Sequence, residues 1–148
     1  MLTKQDVSIK LVPHGSDAYH AIVALREEVL RAPLGLTISS EELEREKNYF
    51  HIACYLEEEL CGTAMMVPMG EEIKIQRVAV KEQAQGHGIG SELMNFCEMF
   101  ARNNGFRALY CHARDSAIKF YAKNNFVGEG EMFDELGFPH WKMRRLID

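Results

Sequence analysis

Gln85-Gly86-His87-Gly88-Ile89-Gly90 is the stretch that decides the fold of this 148-residue chain. It separates a predicted strand, over about residues 72–80, from a predicted helix that begins near Ile89. Closely spaced glycines let backbone N–H groups approach a ligand, and the N-terminus of a helix favours an anion there. The loop therefore suits a diphosphate, although a short glycine-rich run is also typical of a tight turn that binds nothing.

The glycine spacing disfavours two common nucleotide-binding motifs. The chain has no Gly-Lys-Ser/Thr sequence for a Walker loop, and its glycines follow G-x-G-x-G rather than G-x-G-x-x-G. The loop also comes in mid-chain after several strands, whereas a dinucleotide fingerprint lies at the first turn of a parallel sheet. A nucleotide-binding enzyme of another class is therefore the weakest hypothesis for this chain.

The strand before the loop contains a break in its hydrophobic alternation. Ile73 and Ile75 share one phase, while Val78 and Val80 share the other. Because side chains alternate with a period of 2, this change of phase predicts a β-bulge near Gln76-Arg77. Bulges are frequent beside active sites.

Hydrophobic patterning further outward predicts the element order β-α-α-β-β-β-α-β-α-β-β. Antiparallel strands followed by a strand-helix-strand unit indicate an α/β fold, with a mixed, mostly antiparallel sheet of about six to seven strands and helices on both faces. The Glu57-Glu58-Glu59 run is interpreted as a solvated turn, and the last two strands are broken at Gly137-Phe138-Pro139. The helices are predicted over about residues 18–29, 39–47, 89–101 and 116–125, the last capped by Asp115 or Ser116.

Composition predicts a single globular domain over residues 1–148, because 47% of the residues are hydrophobic and 26% are charged. The 17 basic and 22 acidic residues give a net charge of −5, which argues against binding to nucleic acid through general electrostatics. The charge is uneven: residues 1–75 hold 13 acidic and 7 basic groups, whereas residues 76–148 hold 9 and 10. The acidic half suggests, as a weak hypothesis, that a cationic amine approaches it.

The remaining composition argues against a metal site and a membrane segment. The four cysteines lie in apolar surroundings without a C-x-x-C pair, which predicts reduced, structural thiols and no metal. No apolar run reaches the ~18 residues of a membrane helix, and the N-terminus lacks the apolar core of a signal peptide. We therefore expect a cytoplasmic protein.

Two motifs carry a resemblance to a known family. Gln85, Gly88 and Gly90 match the pattern Q/R-x-x-G-x-G/A, which opens the central helix of GCN5-related N-acetyltransferases (GNAT). Residues 117–126 are similar to that family's A-x-x-F-Y-x-K-x-G-F signature, with Asn125 in place of the usual glycine. Together with the element order, the two motifs cover most of the chain, and the resemblance implies an acyl-CoA N-acyltransferase fold.

The resemblance implies that acetyl-CoA lies in a gap between the fourth and fifth strands, opened by the bulge. It places the pantetheine arm along the backbone of the fourth strand and the pyrophosphate on the amides of the loop. Lys119 and Lys123 are further candidates for the anionic end, or are simply solvated; Arg114 replaces the family's usual Asn or Gln. The cofactor-binding residues predicted from the fourth strand and the loop are Val78, Ala79, Val80, Gln85, Gly86, His87, Gly88, Ile89, Gly90 and Ser91.

The resemblance also suggests catalytic roles. The backbone N–H of Val78 would donate to the thioester carbonyl, and Tyr121 matches the tyrosine near the coenzyme sulfur, a candidate general acid or else a packing residue. The base is open, because Lys74 occupies the position of the glutamate found in some relatives. His140 lies in a Gly-x-Pro-His turn similar to that of a subgroup, and is the first candidate; His112, Glu131, Glu135 or water are the others.

These features predict an N-acetyltransferase that transfers acetyl from acetyl-CoA to a primary amine by direct attack in a ternary complex. The alternative is an acyl-CoA-binding regulatory module with little or no transferase activity, suggested by the missing base. The acceptor, a small-molecule or peptide amine, is not identified, and its pocket is expected at segments 32–40 and 137–141. Exchange of C-terminal strands would allow a homodimer.

Overall fold

The computed structural model describes residues 7–147. Its strands are β1 Val7–Val12, β2 Phe50–Leu56, β3 Glu59–Met69, β4 Glu72–Val80, β5 Ala108–Arg114, β6 Val127–Glu135 and β7 Phe138–Leu146. Its α-helices are α1 Asp17–Arg26, α2 Ser40–Arg45, α3 Ile89–Asn103 and α4 Ile118–Lys123. This is the predicted order β-α-α-β-β-β-α-β-α-β-β.

The strands form a seven-stranded sheet in the order β1-β2-β3-β4-β5-β7-β6. β4 and β5 pair in parallel, whereas β1 with β2, β2 with β3, β5 with β7 and β6 with β7 pair in antiparallel. The prediction of a mixed, mostly antiparallel sheet is confirmed.

The described residues fall into two compact units, each with buried apolar residues of its own. Unit 1 comprises residues 7–66 and 77–96, and unit 2 comprises residues 67–76 and 97–147. In unit 1, α1 packs on β2 through Tyr19, Ile22 and Ala53. Unit 2 buries Leu109, Cys111, Phe126 and Met143, among others. That residues 1–148 make one domain stays a prediction.

Several helix predictions were wrong in their extent. The first helix is α-helical only to Arg26, continues as a π-helix over Glu27–Arg31, and ends in a 3₁₀ turn, Ala32–Leu34, that contains Pro33. The helix predicted over 116–125 is shorter, because a 3₁₀ turn over Asp115–Ala117 precedes α4. The expected side-chain cap from Asp115 or Ser116 is wrong, since the N-cap of α4 is Ala117.

Two turns lie elsewhere than predicted. Only Glu57 and Glu58 form the turn after β2, both with positive φ, and Glu59 already begins β3. The C-terminal hairpin turns at Leu136 and Gly137, and β7 includes Phe138 and Pro139. A proline can take the second position of a strand when its missing N–H leaves no necessary ladder bond unmade.

β4 is continuous over Glu72–Val80, but its backbone is irregular where the hydrophobic alternation fails. Arg77 has a φ of 54°, a left-handed conformation that is uncommon for a residue other than glycine. Before this point Ile73 and Ile75 are buried; beyond it Ala79 is buried, while Val78 and Val80 are half-buried. The predicted irregularity therefore lies at Arg77.

Candidate functional site

The glycine loop of unit 1 is an open turn at the start of α3. Gly86 and Gly88 have φ values of 82° and 81°, and a Cβ added at either glycine would meet no atom within 4 Å. The first helical hydrogen bond of α3 runs from the Glu92 N–H to the Gly88 carbonyl at 3.0 Å. The N–H groups of Ile89, Gly90 and Ser91 thus precede any intrahelical acceptor and can receive an anion.

The loop is attached to the end of β4 by a side chain. The Gln85 amide nitrogen donates to the Val80 carbonyl oxygen at 3.0 Å, and the Lys81 N–H donates to the Cys61 carbonyl at 2.8 Å. Gln85 thus has a structural role in setting the position of the loop. Among the predicted residues of this loop, Ile89 packs into unit 1, whereas His87 is exposed.

A cavity of about 360 Å³ lies beside this loop, within unit 1. Its walls include Leu56 and Leu60 from the β2–β3 hairpin, and Lys81 and His87 from the loop region. His87 therefore lines this cavity as well as belonging to the predicted pyrophosphate loop.

Tyr121, the predicted general acid, is a buried residue of α4 in unit 2. Its side chain is 8% exposed, and its ring makes edge contacts with Phe120 and Phe126 at centroid distances of 5.0 and 5.2 Å. Burial raises the pKa of the Tyr121 phenol, and a hydrogen bond to the Cys111 thiol adds to this increase. The phenol is consequently protonated at neutral pH, and its hydroxyl already faces a sulfur atom.

Three of the candidate bases come together in unit 2. His112 Nδ1 lies 3.0 Å from Glu135 Oε1, and His140 Nε2 lies 3.6 Å from Glu135 Oε2. Burial by itself would raise the pKa of Glu135, but the hydrogen bond to His112 and the electrostatic effects of its neighbours together outweigh it, and the pKa lies below its ordinary value. Lys74 acts on Glu135 in the same direction. The cluster is thus organised around an ionised carboxylate.

His140 is buried and held in one orientation. The ring is 7% exposed and stacks on Phe133 at a centroid distance of 6.0 Å. Its Nδ1 lies 2.9 Å from the Phe138 carbonyl oxygen, which can only accept a hydrogen bond. Nδ1 therefore carries a proton, and Nε2 is the basic nitrogen of the neutral ring. Glu131, the fourth candidate base, is an exposed residue of β6.

The remaining predicted contacts are solvent-facing. Lys119 and Lys123 lie four residues apart on α4, and both are exposed. Arg114 places its guanidinium 3.9 Å from the centroid of the Phe138 ring. Stacking on an aromatic face accounts for the position of Arg114 without any ligand.

A buried polar cluster of unit 1 was missed in the sequence. Arg26, Glu46 and His51 are each at most 2% exposed, and Glu46 accepts hydrogen bonds from Arg26 and from the Tyr19 hydroxyl at 2.6 Å. The sequence pattern indicates only a charged, solvated helix over 39–47. One feature of the sequence could have indicated this cluster. Tyr19, Ile22 and Arg26 follow one another at spacings of three and four on the apolar stripe of α1, which is the buried face of the helix.

Within residues 7–147, no group of three or more His, Cys, Asp or Glu side chains has the arrangement of a metal site. The same part of the chain has no helix that is long and apolar enough to cross a membrane. All four cysteines are free and buried.

Comparison with known proteins identifies the family. The family model described as "Acetyltransferase (GNAT) family" matches residues 18–126. The chain belongs to the GNAT acetyltransferase family. It is accordingly an acetyl-CoA-dependent acetyltransferase, and the predicted resemblance is confirmed.

Individual members of the family are distant in sequence but alike in fold. A Bacillus subtilis (strain 168) protein, which its name describes only provisionally as an acetyltransferase, is 26% identical over 132 residues, covering 87% of this chain and 90% of its own. Escherichia coli ElaA has a TM-score of 0.77 at 23% identity, covering 94% of this chain and 99% of its own. A GNAT family acetyltransferase from Elizabethkingia anophelis, solved with acetyl-CoA bound, has a TM-score of 0.75 at 18% identity, covering 97% and 100% of the two chains.

Proposed function

We propose that this GNAT enzyme transfers the acetyl group of acetyl-CoA to a primary amine by direct attack within a ternary complex. The observation that carries the proposal is the open glycine loop at the N-terminus of α3. Gly86 and Gly88 leave free space above exposed backbone N–H groups, which is what a pyrophosphate needs. The hydrogen bond from the Gln85 side chain to the Val80 carbonyl holds the loop, so its backbone N–H groups are in place before a ligand binds.

Acetyl-CoA supplies the thioester, and residues of the chain have three tasks. The Val78 N–H donates to the carbonyl oxygen of the thioester and stabilises the negative charge that develops there. The amine nitrogen forms the new C–N bond while the C–S bond breaks. Tyr121 gives its phenolic proton to the departing sulfur, and a base removes the proton from the nitrogen.

The raised pKa of Tyr121 is compatible with an acid role. Burial favours the neutral phenol, so the proton is present throughout the neutral pH range. The same apolar surroundings disfavour a thiolate, which makes a sulfur in this environment a stronger proton acceptor.

We assign His140 as the base, with Glu135 as its partner. The hydrogen bond from Nδ1 to the Phe138 carbonyl leaves Nε2 as the proton acceptor, and the Glu135 carboxylate lies where it can pair with the imidazolium that forms. Lys74 does not serve as the base, because a protonated lysine has no lone pair to accept the proton.

Segment 32–40 of unit 1 is the proposed acceptor wall, and the role expected for segment 137–141 stays a prediction. The first is tied down within unit 1, because Arg31 Nη1 donates to the Thr37 carbonyl at 3.3 Å and the Ile38 N–H donates to Glu27 Oε2 at 3.0 Å. The free thiols suit a reducing compartment such as the cytoplasm, where we place the protein. Formation of a homodimer stays a prediction.

The test is release of free coenzyme A thiol from acetyl-CoA in the presence of a panel of primary amines. Turnover with at least one amine is expected. Tight acetyl-CoA binding without thiol release for any amine would instead support the acyl-CoA-binding regulatory module. An increase in melting temperature with ATP or NAD, but not with acetyl-CoA, would contradict both functions.

A further inference from the structure

Three side chains of unit 1 form what we call the arginine clasp: Arg31, Glu42 and Arg77. Arg31 lies at the start of the proposed acceptor segment 32–40, Glu42 lies just beyond its end, and Arg77 is the left-handed residue of β4. Arg31 holds Glu42 through two hydrogen bonds, Nη1 to Oε1 at 3.0 Å and Nη2 to Oε2 at 2.6 Å. The clasp therefore closes the base of the acceptor segment.

Arg77 is the member of the clasp whose charge is least compensated. Its Nε lies 3.6 Å from Glu42 Oε2, beyond hydrogen-bond distance, and that oxygen is already bound by Arg31. The Arg77 Nε is buried without a hydrogen-bond partner. Its ion pair with Glu42 is consequently weak, although the side chain is only 38% exposed.

The charges around Arg77 leave one positive charge in excess. Those that act on it are the carboxylates of Glu42 and Glu46 and the guanidinium groups of Arg26 and Arg31. Arg26 pairs with Glu46, and Arg31 pairs with Glu42.

Glu27 is a further carboxylate near the clasp. It accepts a hydrogen bond from the Ile38 N–H and acts on Arg31 rather than on Arg77. Arg77 is thus a partly desolvated cation that lacks a dedicated anion.

Arg77 is also next in sequence to Val78, the proposed donor to the thioester carbonyl. Neighbouring strand residues lie about 3.3 Å apart along the chain, and their side chains point to opposite faces. The Arg77 side chain extends to Glu42 at the end of the acceptor segment. An anion bound to the Arg77 guanidinium would therefore lie beside Glu42, at the end of the proposed acceptor segment.

We propose that Arg77 binds the carboxylate of the acceptor, which is an amino-carboxylic acid with its amine close to its carboxylate. This inference rests on the proposed function and names its substrate class. The Arg77 guanidinium would donate charge-assisted hydrogen bonds to the carboxylate of the acceptor, because the Glu42 carboxylate already accepts its hydrogen bonds from Arg31. A nearby cation also favours the neutral form of the acceptor amine, which is the nucleophilic form.

The bulk charge suggests the opposite class of acceptor. The acidic excess over residues 1–75 predicts attraction of a cationic amine, but the two carboxylates that act on Arg77, those of Glu42 and Glu46, are already paired with Arg31 and Arg26. The local charge at the clasp is positive where the average over this half of the chain is negative. Whether the enzyme prefers a cationic or an anionic acceptor decides between these two expectations.

The experiment compares matched acceptors, each an amino acid and its own amide, with leucine and leucinamide as the first pair and glycine and glycinamide as the second. We expect the wild-type enzyme to prefer the carboxylate member in kcat/KM. Arg77→Gln should remove the preference by raising KM for the carboxylate about 10- to 100-fold, as for loss of a charge-assisted hydrogen bond, with little change in KM for the amide. Arg77→Lys should recover part of the loss, because it keeps the charge without the planar fork.

Arg102→Gln is the matched control, since Arg102 pairs with Glu98 on the surface of α3 and should leave the preference unchanged. Because Arg77→Gln could perturb folding, the melting temperature of the wild type is measured with each acceptor as well. It should rise with the carboxylate member only. Preference for the amides, or an unchanged preference in Arg77→Gln, would overturn the inference and leave the acetyltransferase intact. Absence of turnover with every amine would contradict the proposed function itself, and the inference with it.

Discussion

The guanidinium of Arg26 and the carboxylate of Glu46 form a buried, two-pronged ion pair, with Nη1 to Oε1 at 2.5 Å and Nη2 to Oε2 at 3.1 Å. The pair joins the end of α1 to the residue that follows α2. The Tyr19 hydroxyl also donates to Glu46, so the carboxylate is held by both a cation and a phenol. The pair fixes the two helices that flank the proposed acceptor segment.

Glu46→Gln should destabilise the protein strongly. Removing one partner of a buried pair leaves the other as an uncompensated charge, which costs about 3–5 kcal/mol in the free energy of unfolding. Urea denaturation followed by circular dichroism measures this loss. Glu44→Gln is the control, because Glu44 of α2 forms only an exposed ion pair with Lys47, which lies beyond the end of that helix, and we expect little change. Equal stability of the two variants would show that the buried pair is not stabilising.

The same pair predicts a pH dependence of stability. Burial would raise the pKa of Glu46, but hydrogen bonds from Arg26 and Tyr19 outweigh it and the pKa lies below its ordinary value of 4.5. A carboxyl whose pKa is lowered by folding contributes stability above its unfolded pKa and loses that contribution as the pH falls through the folded value. The difference in unfolding free energy between the wild type and Glu46→Gln should thus be constant near pH 7 and shrink below about pH 4. A difference that grows on acidification would contradict this.

The loop and α4 could be predicted from the sequence because their residues act locally. Gly86 and Gly88 adopt positive φ in a tight turn, a conformation that glycine favours. Tyr121 lies on the helix predicted to follow the fifth strand. In both cases residues close in sequence determine the local conformation. The position of the irregularity at Arg77 was predictable from the failed alternation, but the burial beyond it was not, because Ala79 is buried while Val78 and Val80 are only half-buried.

The buried ion pair and the cluster of His112, Glu135 and His140 could not be predicted in the same way. Arg26 and Glu46 are twenty residues apart, and their pairing depends on how α1, the π-helical turn and α2 bring the chain back. Glu135 meets His112 through the pairing of β5, β7 and β6, which fixes positions 23 residues apart. Such contacts depend on tertiary register rather than on local spacing.

Gly88→Glu should weaken acetyl-CoA binding by about tenfold or more, measured by isothermal titration calorimetry, because it places a carboxylate against the pyrophosphate. Any side chain at φ 81° is strained, so strain must be separated from charge. Gly88→Lys carries the same strain with the opposite charge and should bind more tightly than Gly88→Glu. Gly105→Glu, at φ 78° beyond the end of α3, should bind as the wild type does. Wild-type affinity in Gly88→Glu would mean that the loop is only a turn.

Tyr121→Phe should lower kcat by about 10²–10⁴-fold, the range for general acid catalysis, with little change in the affinity for acetyl-CoA. The ring is retained, so its edge contacts with Phe120 and Phe126 are preserved. Steady-state kinetics with thiol detection measures the effect, and Tyr55→Phe is the control for loss of a hydroxyl outside the proposed site. A variant with unchanged kcat would leave Tyr121 a packing residue.

His140→Gln should lower kcat/KM by about 10²–10⁴-fold and change its dependence on pH, because a base must be neutral to accept a proton. In the wild type, kcat/KM should fall on the acidic side as Nε2 is protonated, and in the variant this decline should disappear. Glu135→Gln should lower kcat/KM less than His140→Gln does, since the carboxylate pairs with the imidazolium but does not accept the proton. His20→Gln, which changes an exposed histidine of α1, should leave the profile unchanged. Loss of activity in His140→Gln with a wild-type pH profile would assign His140 a structural role and leave water, Glu131 or His112 to carry the proton.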